Sequence, residues 1–306
     1  MAEGIIIKAL SGFYYVSTGD KIITCQGRGK HRHENFTPRV GDFVTFSYRS
    51  ETEGALDEFA ERKNEFHRPS VANMDQLVLI VSEALPKTDP FLIDRMTSMS
   101  AMANCPVVIV VNKCDLASGE ELFEIYHKTG FPTICTSAET GMGMEAFREL
   151  MKGKVSALTG NTGVGKSSLL NALQPNMSLS TGEISKKLGR GRHTTRHVEL
   201  FPISEGGYVA DTPGFSSFEN NMMSIGYLQR LPESFIEFSP YLSDCQFADC
   251  SHQKEKGCAV LQAIADGKIL QSRHNSYLRL YEQANQISDW EREQYHKNSR
   301  SGKRGK

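Results

Sequence analysis

One stretch of the chain combines glycines, a lysine and a serine at a spacing suited to binding phosphate. It reads Gly160-Asn161-Thr162-Gly163-Val164-Gly165-Lys166-Ser167 and fits the pattern G-x-x-x-x-G-K-[ST]. Glycines let backbone N–H groups turn inward around phosphate oxygens, and the positive end of the helix that follows adds to the attraction. We expect Lys166 to bridge the outer phosphates and the Ser167 hydroxyl to ligate Mg²⁺, with Ser168 completing the nucleotide-binding set. Alone, this loop predicts a nucleoside triphosphate without selecting its base.

A second stretch has side chains that could select the base: Asn112-Lys113-Cys114-Asp115. The Asp115 carboxylate can accept hydrogen bonds from the ring N–H and the exocyclic amine of guanine, and adenine presents neither donor there. We expect Lys113 to lie along the base and Asn112 to tie neighbouring loops together. The tetrapeptide resembles the guanine-specificity loop of GTPases, although a solvated turn explains it equally well by itself. Ser137-Ala138 resembles their second base loop, in which the Ala138 N–H meets the guanine oxygen.

Two further stretches resemble the switch regions of GTPases. The first is Asp211-Thr212-Pro213-Gly214, which resembles the D-x-x-G loop. That resemblance implies Asp211 near Mg²⁺ through water and the Gly214 N–H near the γ-phosphate. The second is the Thr-Thr-Arg sequence within residues 191–196, where Thr195 is the expected Mg²⁺ ligand by resemblance to related GTPases.

The position expected to orient the attacking water differs from that of many GTPases. Phe215 follows the D-x-x-G loop, where many GTPases carry glutamine, and a phenyl ring cannot orient water by hydrogen bonding. We therefore expect slow intrinsic turnover, with a partner or another residue completing the site. His193 is the candidate catalytic residue within the chain, although a solvated loop or a partner contact explains this histidine equally well.

The elements that must position these loops alternate between strands and helices. We predict strands at residues 76–82, 106–111, 133–136, 155–158 and 208–210, and helices at residues 91–103, 120–128, 144–151 and 168–173. Continuous hydrophobicity in the strands is typical of a parallel sheet covered on both faces. Ordinary GTPases carry the phosphate loop first, whereas here the base loops precede it. The order predicts a circularly permuted GTPase domain, which a compact sheet tolerates because its contacts survive relocation of the ends.

The first seventy residues lack a helical period and alternate short β-type runs with turns. We predict strands at residues 12–17, 21–25 and 43–48, separated by glycine-containing turns. Such a pattern indicates a small β-barrel of the OB-fold type, and an SH3-like barrel would give almost the same pattern.

A cluster of potential metal ligands lies near the C-terminus, formed by Cys245, Cys250, His252 and Cys258. Three thiolates and one imidazole suit tetrahedral Zn²⁺, and a complete set leaves no open position, so we expect one structural zinc ion. Buried thiols with a surface histidine are the alternative. The remaining cysteines are interpreted as packing residues: Cys25, Cys105, Cys114 and Cys135.

Composition limits the classes of function. The formal net charge of −1 does not indicate a nucleic-acid-binding protein as a whole, so such a role must rest on local basic patches. Three patches occur, at residues 28–33, 186–197 and 297–306, and together they fit contact with a phosphate backbone. We expect the last ten residues to be disordered in isolation. The predicted RNA contacts are Arg28, Lys30, Arg32, Lys186, Lys187, Arg190 and Arg192.

The cellular compartment also follows from composition. Seven cysteines, an odd number, favour a reducing environment, and the N-terminus lacks a basic-then-apolar signal pattern. The longest apolar run is too short to span a bilayer. We therefore expect a cytoplasmic protein without a membrane partner.

The whole chain resembles the ribosome small-subunit-dependent GTPase A (RsgA) family. The resemblance rests on the barrel, the permuted motif order, the Gly-Arg-His-Thr-Thr switch and the C-x₄-C-x-H-x₅-C cluster. It implies a multidomain α/β protein with an OB-fold at residues 1–70, a circularly permuted P-loop GTPase domain at residues 71–221, and a helical zinc-binding domain with a basic tail at residues 222–306. It also implies Mg²⁺ with GTP, and the 30S ribosomal subunit with its 16S rRNA as partners. We expect the protein to be a monomer.

Three functions are compatible with these features. The leading hypothesis is a GTPase that binds the 30S subunit, assists its late maturation and is released after subunit-stimulated GTP hydrolysis. The alternative is an RNA-binding assembly chaperone that senses guanine nucleotide without efficient turnover. A permuted GTPase acting on the large subunit is disfavoured, through the resemblance, by the zinc cluster and the barrel.

Overall fold

The computed structural model describes residues 1–27, 36–66, 70–174, 198–204, 206–211 and 225–301. Side chains are described in these ranges except at positions 211, 225, 226 and 287–301. Among the helices of the described ranges, none has the length and apolar character needed to cross a bilayer.

Five N-terminal strands close into a barrel. They are β1 (Ala2–Leu10), β2 (Phe13–Ser17), β3 (Ile22–Gln26), β4 (Phe43–Tyr48) and β5 (Glu53–Phe59). Strand β1 pairs with both β2 and β4, and β3 runs parallel to β5, which gives the closed order β1-β2-β3-β5-β4-β1. This arrangement confirms the predicted OB-fold barrel. Strands β2, β3 and β4 lie where the sequence predicted strands, whereas β1 and β5 were not predicted.

Strand β1 is buried on both of its faces. Ile6 lies in the barrel core with Val16 and Phe46. Ile5 and Ile7 belong instead to the large core that the barrel shares with the rest of the molecule. Successive residues of a strand point to opposite faces, so three consecutive isoleucines can fill two different cores.

In the described part of the chain, the central sheet has six strands: β8 (Gln76–Val81), β9 (Val107–Val111), β10 (Thr133–Cys135), β11 (Val155–Thr159), β12 (Glu199–Pro202) and β13 (Tyr208–Asp211). Their order is β10-β9-β8-β11-β13-β12, with every pairing parallel except that of β12 with β13. A short hairpin of β6 (Glu65–Phe66) and β7 (Val71–Ala72) precedes this sheet.

Helices accompany this sheet: α1 (Pro90–Met102), α2 (Glu120–Lys128), α3 (Met144–Met151) and α4 (Lys166–Leu173). The residues of β8 divide between two cores, with Leu77 and Leu79 in one and Val78 and Ile80 in the other. A sheet covered on both faces is what the continuous apolar runs predicted.

The barrel and the central sheet are hydrogen-bonded to each other. Strand β1 pairs antiparallel with β12, and the Lys8 ammonium lies 2.9 Å from the Glu199 carboxylate across this junction. The Tyr208 hydroxyl lies 3.0 Å from the Ser17 hydroxyl nearby. The two units therefore share one eleven-stranded sheet. The domain limits at residues 70 and 221 stay predictions.

The C-terminal segment is helical and packs on α1. It contains α5 (Ile225–Ser234), a 3₁₀-helix (Ser239–Asp244), α6 (Ala259–Ala265) and α7 (Gln271–Ser301). The Ser98 hydroxyl of α1 lies 2.6 Å from the Ser234 hydroxyl and 3.3 Å from the Tyr227 hydroxyl of α5. Because α7 continues to Ser301, the expectation of disorder from residue 297 onwards is wrong for the part of the tail that is described.

Candidate nucleotide site and metal centre

The predicted phosphate and base loops begin at the carboxyl ends of parallel strands of one sheet, in which β8 lies between β9 and β11. The phosphate loop follows β11, the Asn112–Asp115 loop follows β9, and the loop with Ser137 and Ala138 follows β10. Carboxyl ends of parallel strands lie at one edge of a sheet, which is where α/β proteins bind nucleotides.

The phosphate loop uses its glycines for close backbone approach. Gly165 has φ +99°, and a Cβ atom there would lie 2.2 Å from Asn112 Nδ2. The Lys166 ammonium donates hydrogen bonds to the carbonyl oxygens of Gly160 at 2.6 Å and Asn161 at 2.7 Å, so it lies inside the loop. Burial lowers the pKa of Lys166. Helix α4 begins at this lysine, two residues earlier than predicted, and directs its N-terminus toward the loop.

Asn112 ties three loops together. Its side-chain amide donates to the Val164 carbonyl of the phosphate loop at 2.9 Å. Its side-chain oxygen accepts from the Thr136 hydroxyl, at the start of the second base loop, at 3.1 Å. Asn112 is only 3% exposed, so both contacts are shielded from water. The geometry is the one expected of a residue that ties loops together, and its part in nucleotide binding stays a prediction.

The other base-reading candidates lie around this bridge. Lys113 has φ +65°, and its ammonium donates to the Leu85 carbonyl at 2.8 Å. Asp115 is exposed at the tip of the loop. Ser137 is fully buried, its N–H bonding to the Met142 carbonyl at 2.9 Å, and it is followed by the half-buried Ala138.

Several predicted residues lie outside the described part of the chain. These are the switch and catalytic candidates His193, Thr195 and Gly214 and the RNA-contact candidates Arg28, Lys30, Arg32, Lys186, Lys187, Arg190 and Arg192. Asp211 is described by its backbone alone, at the end of β13 and opposite Glu199 of β12.

The Cys/His cluster has the dimensions of a tetrahedral zinc site. The ligand atoms of Cys245, Cys250, His252 and Cys258 all lie within 4.8 Å of one another. Cys245 Sγ is 3.9 Å from Cys258 Sγ, and His252 Nδ1 is 3.6 Å and 3.4 Å from these two sulfurs. Tetrahedral zinc with ordinary bond lengths requires about 3.8 Å between sulfurs and about 3.5 Å between sulfur and nitrogen. The residues present therefore fit a closed, structural Zn²⁺ site.

A second layer of contacts holds the metal-binding loop. The His274 ring lies 2.7 Å from the His252 carbonyl, and the Tyr277 hydroxyl donates to the Ser251 carbonyl at 2.8 Å. The Glu255 carboxylate accepts from the Ser251 hydroxyl and from backbone N–H groups including that of Gln253, 2.9 Å away. Burial opposes ionisation of Glu255, but these hydrogen bonds outweigh it and lower its pKa to about 2. Such contacts orient metal ligands.

Sequence reasoning missed four residues that support these sites. The Thr136 hydroxyl and the Leu85 carbonyl form hydrogen bonds with Asn112 and Lys113 of the base loop. The Glu83 carboxylate accepts hydrogen bonds from two backbone N–H groups where helix α2 begins. Arg273 anchors the C-terminal segment. One signal was readable for Glu83. Helix α2 begins after Gly119, which has no side chain to act as a cap, so its first N–H groups required an acceptor from elsewhere.

The sheet order, together with base loops that precede the phosphate loop in the chain, defines a circularly permuted GTPase. Residues 59–221 match the family described as RsgA GTPase, and residues 3–56 match the RsgA N-terminal domain. The chain belongs to the RsgA family of GTP hydrolases.

Individual relatives are similar over most of their length. The protein named Small ribosomal subunit biogenesis GTPase RsgA from Geobacillus kaustophilus is 46% identical over 284 residues, which cover 91% of this chain and 96% of that protein. The crystal structure of YjeQ from Thermotoga maritima has a TM-score of 0.80 at 35% identity, covering 92% of this chain and 98% of that one. YloQ, described as a circularly permuted GTPase, has a TM-score of 0.78 at 36% identity, covering 94% and 96%.

Proposed function

We propose that this protein binds GTP between its phosphate and base loops, docks on the small ribosomal subunit, and takes part in the biogenesis of that subunit. The observation that carries the proposal is the hydrogen bond from the Asn112 side chain to the Val164 carbonyl. It joins the loop whose sequence resembles a guanine-specificity loop to the loop whose sequence fits phosphate binding. The curated relatives, named for small-subunit biogenesis, support the choice of partner.

The proposed nucleotide contacts follow from the chemistry of the loops. Lys166 exchanges its two backbone carbonyl partners for phosphate oxygens, which the N–H groups of the loop also bind. Asp115 accepts the two guanine donors, and the aliphatic part of Lys113 covers the base. Mg²⁺, bound with GTP, neutralises charge on the phosphates. Ser167, Thr195 and Asp211 are its proposed ligands, with Asp211 acting through water.

The barrel is the proposed RNA-binding unit. Three aromatic side chains on its strands are unusually exposed: Phe13 at 41%, Phe43 at 44% and Tyr48 at 54%. Exposed aromatic rings on small barrels stack against unpaired bases, and nearby basic residues attract the phosphate backbone. The basic residues Arg28, Lys30 and Arg32 belong to the segment that joins β3 to β4. These features support 16S rRNA as the part of the subunit that is contacted.

In this proposal GTP hydrolysis times release, and the subunit stimulates it. The test is phosphate release with and without purified 30S subunits, using 50S subunits and a Lys166→Ala variant as controls. We expect stimulation by 30S alone, absent in the variant. Hydrolysis that 30S leaves unchanged would refute the timing role and favour an assembly chaperone that senses nucleotide without efficient turnover. The cytoplasm as the site of action and the monomeric state are further parts of the proposal.

A further inference from the structure

Helix α2, which follows the base loop, is capped by a residue from another loop. Its N-cap position is Gly119, and the N–H groups of Gly119 and Leu122 both donate to the Glu83 carboxylate, at 3.1 and 2.7 Å. The first N–H groups of a helix have no partner within the helix, and a carboxylate satisfies them while complementing the helix dipole. Glu83 thus supplies the cap that glycine cannot.

The loop that carries Glu83 is itself closed by hydrogen bonds. The Ser82 N–H donates to the Thr88 hydroxyl at 3.0 Å, and the Thr88 N–H donates back to the Ser82 carbonyl at 2.8 Å. The Ser82 hydroxyl donates to the Ala84 carbonyl at 3.1 Å. The Glu83 carboxylate is therefore presented from a preorganised loop at the end of β8.

The base loop is consequently held at both ends. Asn112 fixes its beginning to the phosphate loop, and Glu83 fixes its end at Gly119. Between them, Lys113 donates to the Leu85 carbonyl, two residues after Glu83. Asp115 lies in the middle of this segment, so the position of its carboxylate depends on both anchors.

We propose that Glu83 is a positioning residue for guanine selection, acting by fixing the loop that carries Asp115. The inference rests on the proposed nucleotide site and deepens it. Glu83 itself touches the backbone of α2 rather than the nucleotide. Without it, the base loop loses its anchor at Gly119 and keeps the one from the Cys114 N–H to the Thr136 carbonyl, so Asp115 spends less time in the position that guanine requires. Apparent affinity falls in proportion to the fraction of protein with the loop correctly placed.

Comparing the affinities for GDP and ADP distinguishes this positioning role from general damage to the pocket. GDP uses both the phosphate loop and Asp115, whereas ADP uses the phosphate loop but cannot donate to Asp115. Loss of a helix-capping acceptor shifts an equilibrium by about tenfold. For Glu83→Ala we therefore expect a measurable loss of GDP affinity with about tenfold as its upper limit, because the affinity falls only as far as the fraction of protein with a correctly placed loop does. The affinity for ADP, measured by competition at millimolar concentration, should stay within about twofold.

The matched control is Glu124→Ala, which removes a carboxylate from the same helix, where Glu124 pairs with Lys128 at 2.7 Å. We expect it to bind GDP like the wild type. Glu83→Gln retains one acceptor oxygen, so a smaller loss of GDP affinity is expected, and it serves if the alanine variant does not fold. Thermal midpoints of all variants are measured in parallel.

Wild-type GDP affinity in a folded Glu83 variant would overturn the inference, and so would equal weakening of GDP and ADP. A wild-type protein without any preference for GDP over ADP would refute the nucleotide assignment itself, and the inference with it. A clear wild-type preference that Glu83→Ala leaves intact would refute the inference alone.

Discussion

Arg273 of α7 holds the C-terminal segment on the GTPase core through a buried ionic cluster. Its guanidinium donates to Glu237 at 2.6 and 3.1 Å and to Asp94 of α1 at 2.5 Å. Arg273 is 1% exposed, and the Tyr126 hydroxyl also donates to Asp94, at 2.8 Å. Burial alone would lower the pKa of Arg273, but the two carboxylates raise it, so the guanidinium stays charged.

Replacing Arg273 with methionine leaves two buried carboxylates without their cation. Breaking a buried ion pair from one side costs about 3–5 kcal/mol, a large part of the roughly 5–15 kcal/mol that stabilises a typical domain. Arg279→Met is the matched control, because Arg279 is an exposed residue of the same helix whose guanidinium lies 3.7 Å from the centre of the Phe91 ring of α1. Loss of that exposed cation–π contact is expected to cost about 0.5–1 kcal/mol.

The assay is urea denaturation followed by circular dichroism, with zinc present throughout. We expect a clearly lower unfolding midpoint for Arg273→Met than for Arg279→Met. Adding Asp94→Asn and Glu237→Gln to Arg273→Met should recover part of the loss, because neutral amides cost less to bury than unpaired carboxylates. Equal midpoints for the two arginine variants would refute the reasoning. So would a triple variant that is no more stable than Arg273→Met.

Three further predictions concern the nucleotide and metal sites. Asp115→Asn should weaken GDP binding about 100-fold or more, because the amide donates a hydrogen bond where the carboxylate accepted one. For the same reason it should improve the binding of xanthosine diphosphate. Unchanged affinities for both nucleotides, measured by calorimetry, would contradict this. Cys258→Ser should lower the zinc content and the thermal midpoint, whereas Cys105→Ser, a buried thiol outside the cluster, should keep its zinc; retained metal in the first variant would contradict the site. Burial and the neighbouring thiols raise the pKa of Cys250, and a thiol must lose its proton to bind zinc, so zinc should bind more tightly as pH rises. Calorimetry in buffers of different ionisation enthalpy measures this release, and zinc binding without proton release would contradict it.

Strands β8, β9 and β11 of the central sheet were predictable because they are buried on both faces, whereas the partly exposed β12 was not predicted. The apolar runs at β8, β9 and β11 were located to within one residue at each end, and the motifs between them set the permuted order. Burial on both faces makes such runs nearly continuous in hydrophobicity, and the buried polar side chains of Gln76 and Ser156 are hydrogen-bonded to each other at 3.0 Å.

The missed strands lack that clear signal. In β1, burial on both faces removed the alternation expected of a barrel strand. Strand β5 contains three acidic residues, which obscure its apolar pattern. One of them, Asp57, is buried and accepts a hydrogen bond from the Ser47 hydroxyl of β4. Only the folded barrel reveals this pairing. Long-range partners of this kind leave no local pattern.

The same limit applies to the sites. The four metal ligands were predictable because their spacing within a short segment carries the chemistry, and the nucleotide contacts of Asp115 and Lys166 stay predictions of the same kind. The uncapped Gly119 indicates that an acceptor is needed but not which residue supplies it, and Glu83 and Arg273 contact partners far away in the sequence, Gly119 and Asp94, so these contacts could be identified only in the folded structure.

Co-sedimentation with purified ribosomal subunits tests the central claim most directly. The full-length protein is mixed with 30S or 50S subunits in the presence of GDP or a non-hydrolysable GTP analogue. We predict retention on 30S with the analogue, release from 30S with GDP, and no retention on 50S. Equal retention on 30S with both nucleotides, or preferential binding to 50S, would contradict a GTP-timed role on the small subunit.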